Sequence, residues 1–120
     1  MILVLLVDDD EDQLGLRRLH FERHKYRVLT AKTVQEAVTQ FTAHPADVVL
    51  MDLRLPRPED GRQLIRRLRE LSPSVRIVVL SGCPEDLSAS PEAAMVDHCL
   101  RKPARSETVL RTVKRLAGGA

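Results

Sequence analysis

The chain has 120 residues, of which 43% are hydrophobic, so its length suits one compact domain and leaves no room for a second. Its 19 Lys and Arg against 17 Asp and Glu give a formal net charge of only +2, a balance that disfavours nucleic acids and membrane surfaces as direct partners. Aromatic residues make up only 2% of the sequence and Trp is absent, so the stacking platforms that bind single-stranded nucleic acids are missing too.

Cysteine usage and the N-terminal segment both point to the cytoplasm. Cys83 and Cys99 are too few for a disulfide framework and lack the close pairing of a zinc or redox motif, which predicts reduced thiols. The opening apolar run, Ile2–Val7, leads directly into acidic residues and is too short for a signal peptide or a membrane span.

The first third of the chain alternates strand-like and helical patterns. Ile2–Val7 does not alternate with polar residues, which is typical of a strand covered on both faces. A helix is predicted over about Asp12–His24, although Gly15 interrupts it. A less buried strand is expected at Tyr26–Ala31, and the capping box Thr33-x-x-Glu36 then predicts the start of a second helix.

The middle of the chain repeats this alternation. Val48–Met51 and Val75–Leu80 predict two further buried strands. Between them, a helix is predicted from Asp60 because apolar residues recur there at helical spacing, at Leu64, Ile65, Leu68 and Leu71. Arginines at positions 62, 66 and 69 share another face of this helix, which we interpret as solvated surface or, as an alternative, a docking face for an acidic partner.

The last third contains the weakest helical signal. The stretch Pro84–Met95 includes Ser88, Ser90 and Pro91, which disfavour a regular helix. A short strand is expected at Asp97–Arg101, followed by a final helix with an apolar stripe at Val109, Leu110, Val113, Leu116 and Ala117. Five strands alternating with about five helices predict an α/β fold with a doubly wound parallel sheet and helices on both faces.

Polar residues stand at the carboxyl ends of four predicted strands, where open parallel sheets place their functional crevice. They are Asp8-Asp9-Asp10, Asp52, Ser81-Gly82 and Lys102-Pro103. Converging carboxylates repel one another unless a cation neutralises them, and hard oxygen ligands suit Mg²⁺. Beside such a metal, a carboxylate can attack a phosphoryl group while an ammonium and a hydroxyl stabilise the developing charge. Asp10 and Asp12 have a simpler interpretation as helix-capping or turn residues.

The ordered set of these segments resembles the receiver domain of two-component response regulators. The resemblance is carried by Leu5-Leu6-Val7-Asp8-Asp9, by the run from Val48 to Pro56 around Asp52, by Ser81-Gly82 and by Arg101-Lys102-Pro103, and it spans essentially the whole chain. It implies a single receiver domain over residues 1–120 with no effector domain, and a flavodoxin-like fold, as in a chemotaxis regulator, with strand order 2-1-3-4-5.

The resemblance also implies a role for each acidic residue of the set. Asp52 would accept the phosphoryl group, and Asp8, Asp9 and Asp52 would bind Mg²⁺ together with the backbone carbonyl of Arg54. The phosphoryl donor would be a phosphohistidine on a sensor histidine kinase or a histidine phosphotransfer protein. The domain would catalyse its own phosphorylation and dephosphorylation and would not be an enzyme in the usual sense.

The remaining residues of the set would act around the phosphoryl group. The resemblance implies that Lys102 pairs with it, that Ser81 hydrogen-bonds it and carries the change outward, and that Pro103 follows a cis peptide bond. Cys99 stands where the family usually has an aromatic switch residue. We therefore expect the signal to depend on movement of the Ser81–Glu85 loop and the next helix, towards an unidentified downstream protein, and homodimer formation stays open.

Two other functions use similar residues. A Mg²⁺-dependent phosphohydrolase with an aspartyl nucleophile normally has a second Asp two residues after the first, where this chain has Arg54. A degenerate receiver would act as a constitutive docking module, and Cys99 together with an extra residue between Asp52 and Gly61 raises that alternative. The intact set of five site residues, Asp8, Asp9, Asp52, Ser81 and Lys102, favours the phosphorylated receiver.

Overall fold

The structure, a computed structural model, describes residues 1–118 and is built around one parallel sheet. Its five strands are β1 (Leu3–Val7), β2 (Arg27–Ala31), β3 (Val48–Asp52), β4 (Arg76–Ser81) and β5 (His98–Arg101). The strands lie in the order β2-β1-β3-β4-β5, and each neighbouring pair is parallel. The predicted doubly wound sheet with order 2-1-3-4-5 is thereby confirmed.

Five α-helices follow the five strands, as predicted. They are α1 (Glu11–Arg23), α2 (Val34–Ala43), α3 (Pro58–Leu71), α4 (Glu85–Ser88) and α5 (Ser106–Ala117). The weak fourth helical segment is split into α4, which has only four residues, and a 3₁₀ helix at Pro91–Met95. Pro91 explains the break, because proline has no N–H to donate and restricts the residue before it to extended backbone.

Side chains near the sheet edge define where the first three helices begin. The Asp10 carboxylate caps α1 by accepting from the N–H groups of Asp12 and Gln13, at 3.0 and 3.2 Å. Asp12 is not a cap but lies inside the first turn of α1. Helix α3 begins two residues before the predicted Asp60, with Pro58 in its first turn and the Asp60 carboxylate accepting from the Arg57 N–H at 3.0 Å.

Alternate residues of the central strands enter two different cores. Leu5 and Val7 of β1 face the layer covered by α2, α3, α4 and the 3₁₀ helix, whereas Val4 and Leu6 face the layer covered by α1 and α5. All five residues of β3 are buried, which agrees with the continuous apolar run in its sequence. The two cores hold the strands rigidly and leave their carboxyl ends to form the upper edge of the sheet.

The arginines of α3 bind the segment that contains α4 and the 3₁₀ helix. We call Arg62, Arg66 and Arg69 the arginine face. Their partners are, in order, the Asp86 carbonyl oxygen at 3.0 Å, a Glu92 carboxylate oxygen at 3.1 Å and the Met95 carbonyl oxygen at 2.6 Å. Both interpretations from sequence, a solvated surface and a docking face for a partner, were wrong, because the acidic and carbonyl partners come from the same chain.

Candidate functional site

The residues predicted at the strand ends gather at one edge of the sheet. Asp52 is the last residue of β3 and Ser81 the last of β4, while Asp8 directly follows β1 and Lys102 directly follows β5. Backbone hydrogen bonds continue the ladder past the strand ends, from the Leu53 N–H to the Leu80 carbonyl at 3.2 Å and from the Lys102 N–H to the Ser81 carbonyl at 2.9 Å. The parallel register therefore places these residues side by side, as the sequence predicts.

Three carboxylates converge at this edge. Asp8, Asp9 and Asp52 each offer one oxygen, and these oxygens lie within 4.8 Å of one another. Asp8 and Asp52 are buried, whereas Asp9 is exposed. Clustered oxygen donors of this kind, open to water on one side, fit a hard divalent cation such as Mg²⁺ that keeps part of its hydration shell.

Lys102 brings a positive charge to Asp52. Its Nζ lies 2.6 Å from Asp52 Oδ1, and its side chain is partly exposed. Burial raises the pKa of Asp52 above its usual value; Lys102 opposes this shift, and the negative charges of Asp8 and Asp9 add to it. The site therefore holds a buried carboxylate with an ammonium in contact and further acidic groups beside it.

Ser81 lies at the end of β4 with its side chain buried. Its Oγ accepts a hydrogen bond from the Cys83 N–H at 3.1 Å. The thiol of Cys83 in turn lies 3.4 Å from a Glu85 carboxylate oxygen, and this contact raises the pKa of the thiol. Local contacts thus order the loop from Ser81 to Glu85 in this state.

Arg54 connects the loop after β3 to α4. Its Nη2 lies 2.9 Å from Asp86 Oδ2, and the hydrogen bond to this carboxylate, together with its charge, raises the pKa of the guanidinium. Asp86 is also held through its carbonyl oxygen by Arg62 of the arginine face. The sequence singled out the backbone of Arg54 but did not predict this side-chain contact, which joins the two loops beside the site.

Arg17 is the residue at this edge that sequence reasoning missed. From α1, its Nη1 lies 3.5 Å from Asp8 Oδ2. The signal was present in the helix pattern, because Arg17 is three residues after Leu14 and four before Phe21, the two buried residues of α1. A charged residue on the buried face of a helix needs a partner, and here that partner is a carboxylate of the site.

Two further predicted positions are found in the expected places. The peptide bond between Lys102 and Pro103 is cis, as the resemblance implies, and a second cis bond joins Leu55 to Pro56, which the sequence did not predict. Cys99 lies on β5, half buried against the core layer of α2 and α3. Its position fits the predicted replacement of an aromatic ring, and its role as a switch residue stays a prediction.

Comparison with known proteins identifies the family. The family model described as the response regulator receiver domain matches residues 4–114. The chain belongs to this family. The receiver domain is 32% identical over 115 residues to the autoinducer 1 sensor kinase/phosphatase LuxN of Vibrio campbellii, which covers 96% of this chain and 13% of LuxN. It is 41% identical over 81 residues to the photosynthetic apparatus regulatory protein RegA of Cereibacter sphaeroides, 66% of this chain and 42% of RegA.

The receiver domain therefore spans less than half the length of either relative. Solved structures show the same fold at lower identity. A CheY-like receiver domain protein from Methanospirillum hungatei superposes with a TM-score of 0.90 at 24% identity, over 99% of this chain and 95% of that one. TrrA from Thermotoga maritima, solved in complex with Mg²⁺ and BeF, superposes with a TM-score of 0.86 at 22% identity, over 97% and 99% of the two chains.

The helices were also compared with the length of a membrane span. Within residues 1–118, none is both long enough and apolar enough to cross a bilayer.

Proposed function

We propose that this receiver domain accepts a phosphoryl group on Asp52 from a phosphohistidine donor, in a Mg²⁺-dependent step, and thereby changes the protein surface that it presents. The observation that carries the proposal is the contact of Asp52 with Lys102 at 2.6 Å, inside a cluster with Asp8 and Asp9. A buried carboxylate beside an ammonium and other acids is the arrangement that phosphoryl transfer to an aspartate needs.

The reaction that fits these groups is an in-line displacement at phosphorus. A carboxylate oxygen of Asp52 forms the new P–O bond while the P–N bond to the donor imidazole breaks and the electron pair stays on the imidazole nitrogen. The Lys102 ammonium lies where it can stabilise negative charge on the phosphoryl oxygens, and the Ser81 hydroxyl can donate to one of them. Water later hydrolyses the acyl phosphate, so the domain turns over only its own modification.

Asp8, Asp9 and Asp52, with the Arg54 carbonyl, are the groups that would hold Mg²⁺. The bound cation supplies charge neutralisation between the carboxylates and the incoming phosphoryl oxygens. Supporting this assignment, the three carboxylates offer oxygens within 4.8 Å of one another, and Asp8 is fixed in position by a 2.9 Å hydrogen bond from the Asp10 N–H.

The proposed partners follow from the chemistry. The donor would be a sensor histidine kinase or a histidine phosphotransfer protein in the cytoplasm, and the output would pass to a downstream protein. With Cys99 on β5, a ring rotation cannot report the phosphoryl group, so we propose that the Ser81–Glu85 loop and α4 do so. Loss of the Arg54–Asp86 ion pair, now 2.9 Å long, is one change that would free α4.

The experiment is incubation with acetyl phosphate and Mg²⁺, followed by intact-mass measurement. We expect the addition of one phosphoryl group to the wild type, no addition in Asp52→Asn, and a strong reduction when Mg²⁺ is chelated. Phosphorylation that persists in Asp52→Asn would assign the wrong carboxylate. A wild type that never gains the group would favour the docking-module alternative instead.

The switch proposal has its own measurement. Hydrogen exchange of residues 81–95 is compared with and without beryllofluoride, which mimics the phosphoryl group. We expect faster exchange in α4 when the mimic is bound, and unchanged exchange there would contradict the proposed route. A colorimetric phosphatase assay separates the phosphohydrolase alternative, for which sustained release of phosphate from small esters would be required.

A further inference from the structure

Asp8 is paired with a cation that belongs to the chain itself. Its side chain is only 4% exposed, and both of its oxygens are occupied: Oδ1 accepts from the Asp10 N–H at 2.9 Å, and Oδ2 lies 3.5 Å from Arg17 Nη1. The Arg17 side chain is itself 19% exposed, so this ion pair lies largely out of solvent. A buried charge without such a partner would be costly, which explains why α1 directs an arginine inward.

Two internal cations therefore face the three carboxylates of the site. Lys102 contacts Asp52 and Arg17 contacts Asp8, whereas Asp9 has no ion-pair partner among the described residues. When all three carboxylates are ionised, the formal charge of this group is −3 + 2 = −1. Without Arg17 it would be −2, which a divalent cation would neutralise completely.

Arg17 and a metal ion on Asp8 would repel each other. A ligand oxygen of Mg²⁺ lies at about 2.1 Å from the ion, so a cation bound through Asp8 would be roughly 5 Å from the guanidinium. At that distance, in a partly buried site, a single and a double positive charge interact strongly enough to change an affinity by an order of magnitude or more. Both cations use the same carboxylate, so each weakens the binding of the other.

We propose that Arg17 sets the Mg²⁺ affinity of this receiver domain by acting as a built-in competitor for Asp8. The inference rests on the proposed function of the site as a Mg²⁺ site. Arg17 is thus a positioning residue: it keeps Asp8 ionised and in place when the metal is absent, and it weakens the hold of the site on the metal. The cavity lined by Asp8, Gln13, Arg17, Lys102 and Pro103 gives the guanidinium space to move away.

The test is the Mg²⁺ dissociation constant of the full chain, measured by isothermal titration calorimetry at constant pH and ionic strength. We expect Arg17→Gln to bind Mg²⁺ about tenfold more tightly than the wild type. Arg17→Lys, which keeps the charge, should stay close to the wild type. The matched control is Arg18→Gln, because Arg18 is the next residue, is half exposed and pairs only with Glu22 at 3.4 Å among the described residues.

Equal or weaker Mg²⁺ binding by Arg17→Gln would overturn the proposal, as would an equal gain in Arg18→Gln. If Arg17→Gln does not fold, NMR of the wild-type guanidinium groups replaces it: Mg²⁺ should speed up proton exchange at Arg17 and leave Arg18 unchanged, and no change at Arg17 would overturn the proposal. Failure of acetyl phosphate to modify Asp52 would remove the proposed function, while the Mg²⁺ titrations would still decide the role of Arg17.

Discussion

The first and third strand–helix units, β1 with α1 and β3 with α3, are built from the same residue types but use them differently. Each strand leads into acidic residues at the site, and each following helix contains one interior glycine and several arginines. Helix α1 buries only Leu14 and Phe21, whereas α3 buries a continuous stripe of four residues, Gly61, Leu64, Ile65 and Leu68.

The glycines and arginines show what this difference means. A Cβ at Gly15 of α1 would meet nothing within 4 Å, whereas a Cβ at Gly61 of α3 would lie 1.9 Å from the Leu53 carbonyl oxygen. Arg17 of α1 points into the site, whereas the arginine face of α3 holds the α4 segment. Residue type alone therefore does not reveal function here, because the neighbour across the interface decides what each residue does.

The largest effect is expected from Gly61→Ala. The new methyl group would collide with backbone atoms of Leu53, which cannot rotate away, so α3 would have to shift from the loop that carries Asp52. We expect a loss of about 3 kcal/mol or more in the free energy of unfolding, measured by urea denaturation. A loss below about 1 kcal/mol would show that the loop yields easily and would weaken the contrast with Gly15.

Next in size is the effect of removing the charge that the arginine face binds. Glu92 is 6% exposed and pairs with Arg62 and Arg66, so Glu92→Gln should cost about 1 to 3 kcal/mol in urea denaturation and speed up hydrogen exchange over 85–95. The control is Glu59→Gln, because Glu59 pairs with the same Arg62 but is 60% exposed, and its loss should stay below about 0.5 kcal/mol. Equal losses would mean that burial does not distinguish the two pairs.

A smaller effect of opposite sign is expected from Gly15→Ala. The site is exposed and free of contacts, so alanine should stabilise α1 by about 0.5 to 1 kcal/mol because it lowers the entropy cost of ordering the helix. Thermal and urea denaturation measure this gain. A loss of stability would mean that Gly15 is needed for a conformation or contact that the structure does not contain.

The smallest effect concerns the charge of Asp52 in the absence of Mg²⁺. Burial raises its pKa and outweighs Lys102, so the folded state holds the Asp52 proton more tightly than the unfolded state does. Ionisation of this group therefore costs stability as the pH rises above about 4. Urea denaturation between acidic and neutral pH should show Asp52→Asn to be more stable than the wild type near pH 7, with the gain vanishing in acid. A pH-independent difference would contradict this account.

Much of the fold followed from local patterns. The continuous apolar runs marked the buried strands, and the Thr33 cap was found as predicted, with Thr33 Oγ1 accepting from the Glu36 N–H at 3.0 Å. The Glu36 carboxylate, however, accepts from the Lys32 N–H at 3.1 Å and so completes the box one residue early. Boundaries moved by one or two residues because capping depends on which side chain reaches the free N–H groups.

The site was predictable because parallel strands bring their carboxyl ends together whatever lies between them in sequence. Asp8, Asp9, Asp52, Ser81 and Lys102 could thus be placed at one edge before any distance was known. The inward turn of Arg17, the Arg54–Asp86 pair and the arginine face could not, because each joins side chains from separate elements whose relative position depends on packing.

The sequence by itself determined the order of the strands' polar ends, the family and the set of groups that can hold Mg²⁺ and a phosphoryl group, since these depend on residue type and periodicity along the chain. Only the tertiary structure decided which charges neutralise one another. Ion pairs form across distances of a few ångströms between helices and loops that are far apart in sequence, and the packing of both core layers sets those distances.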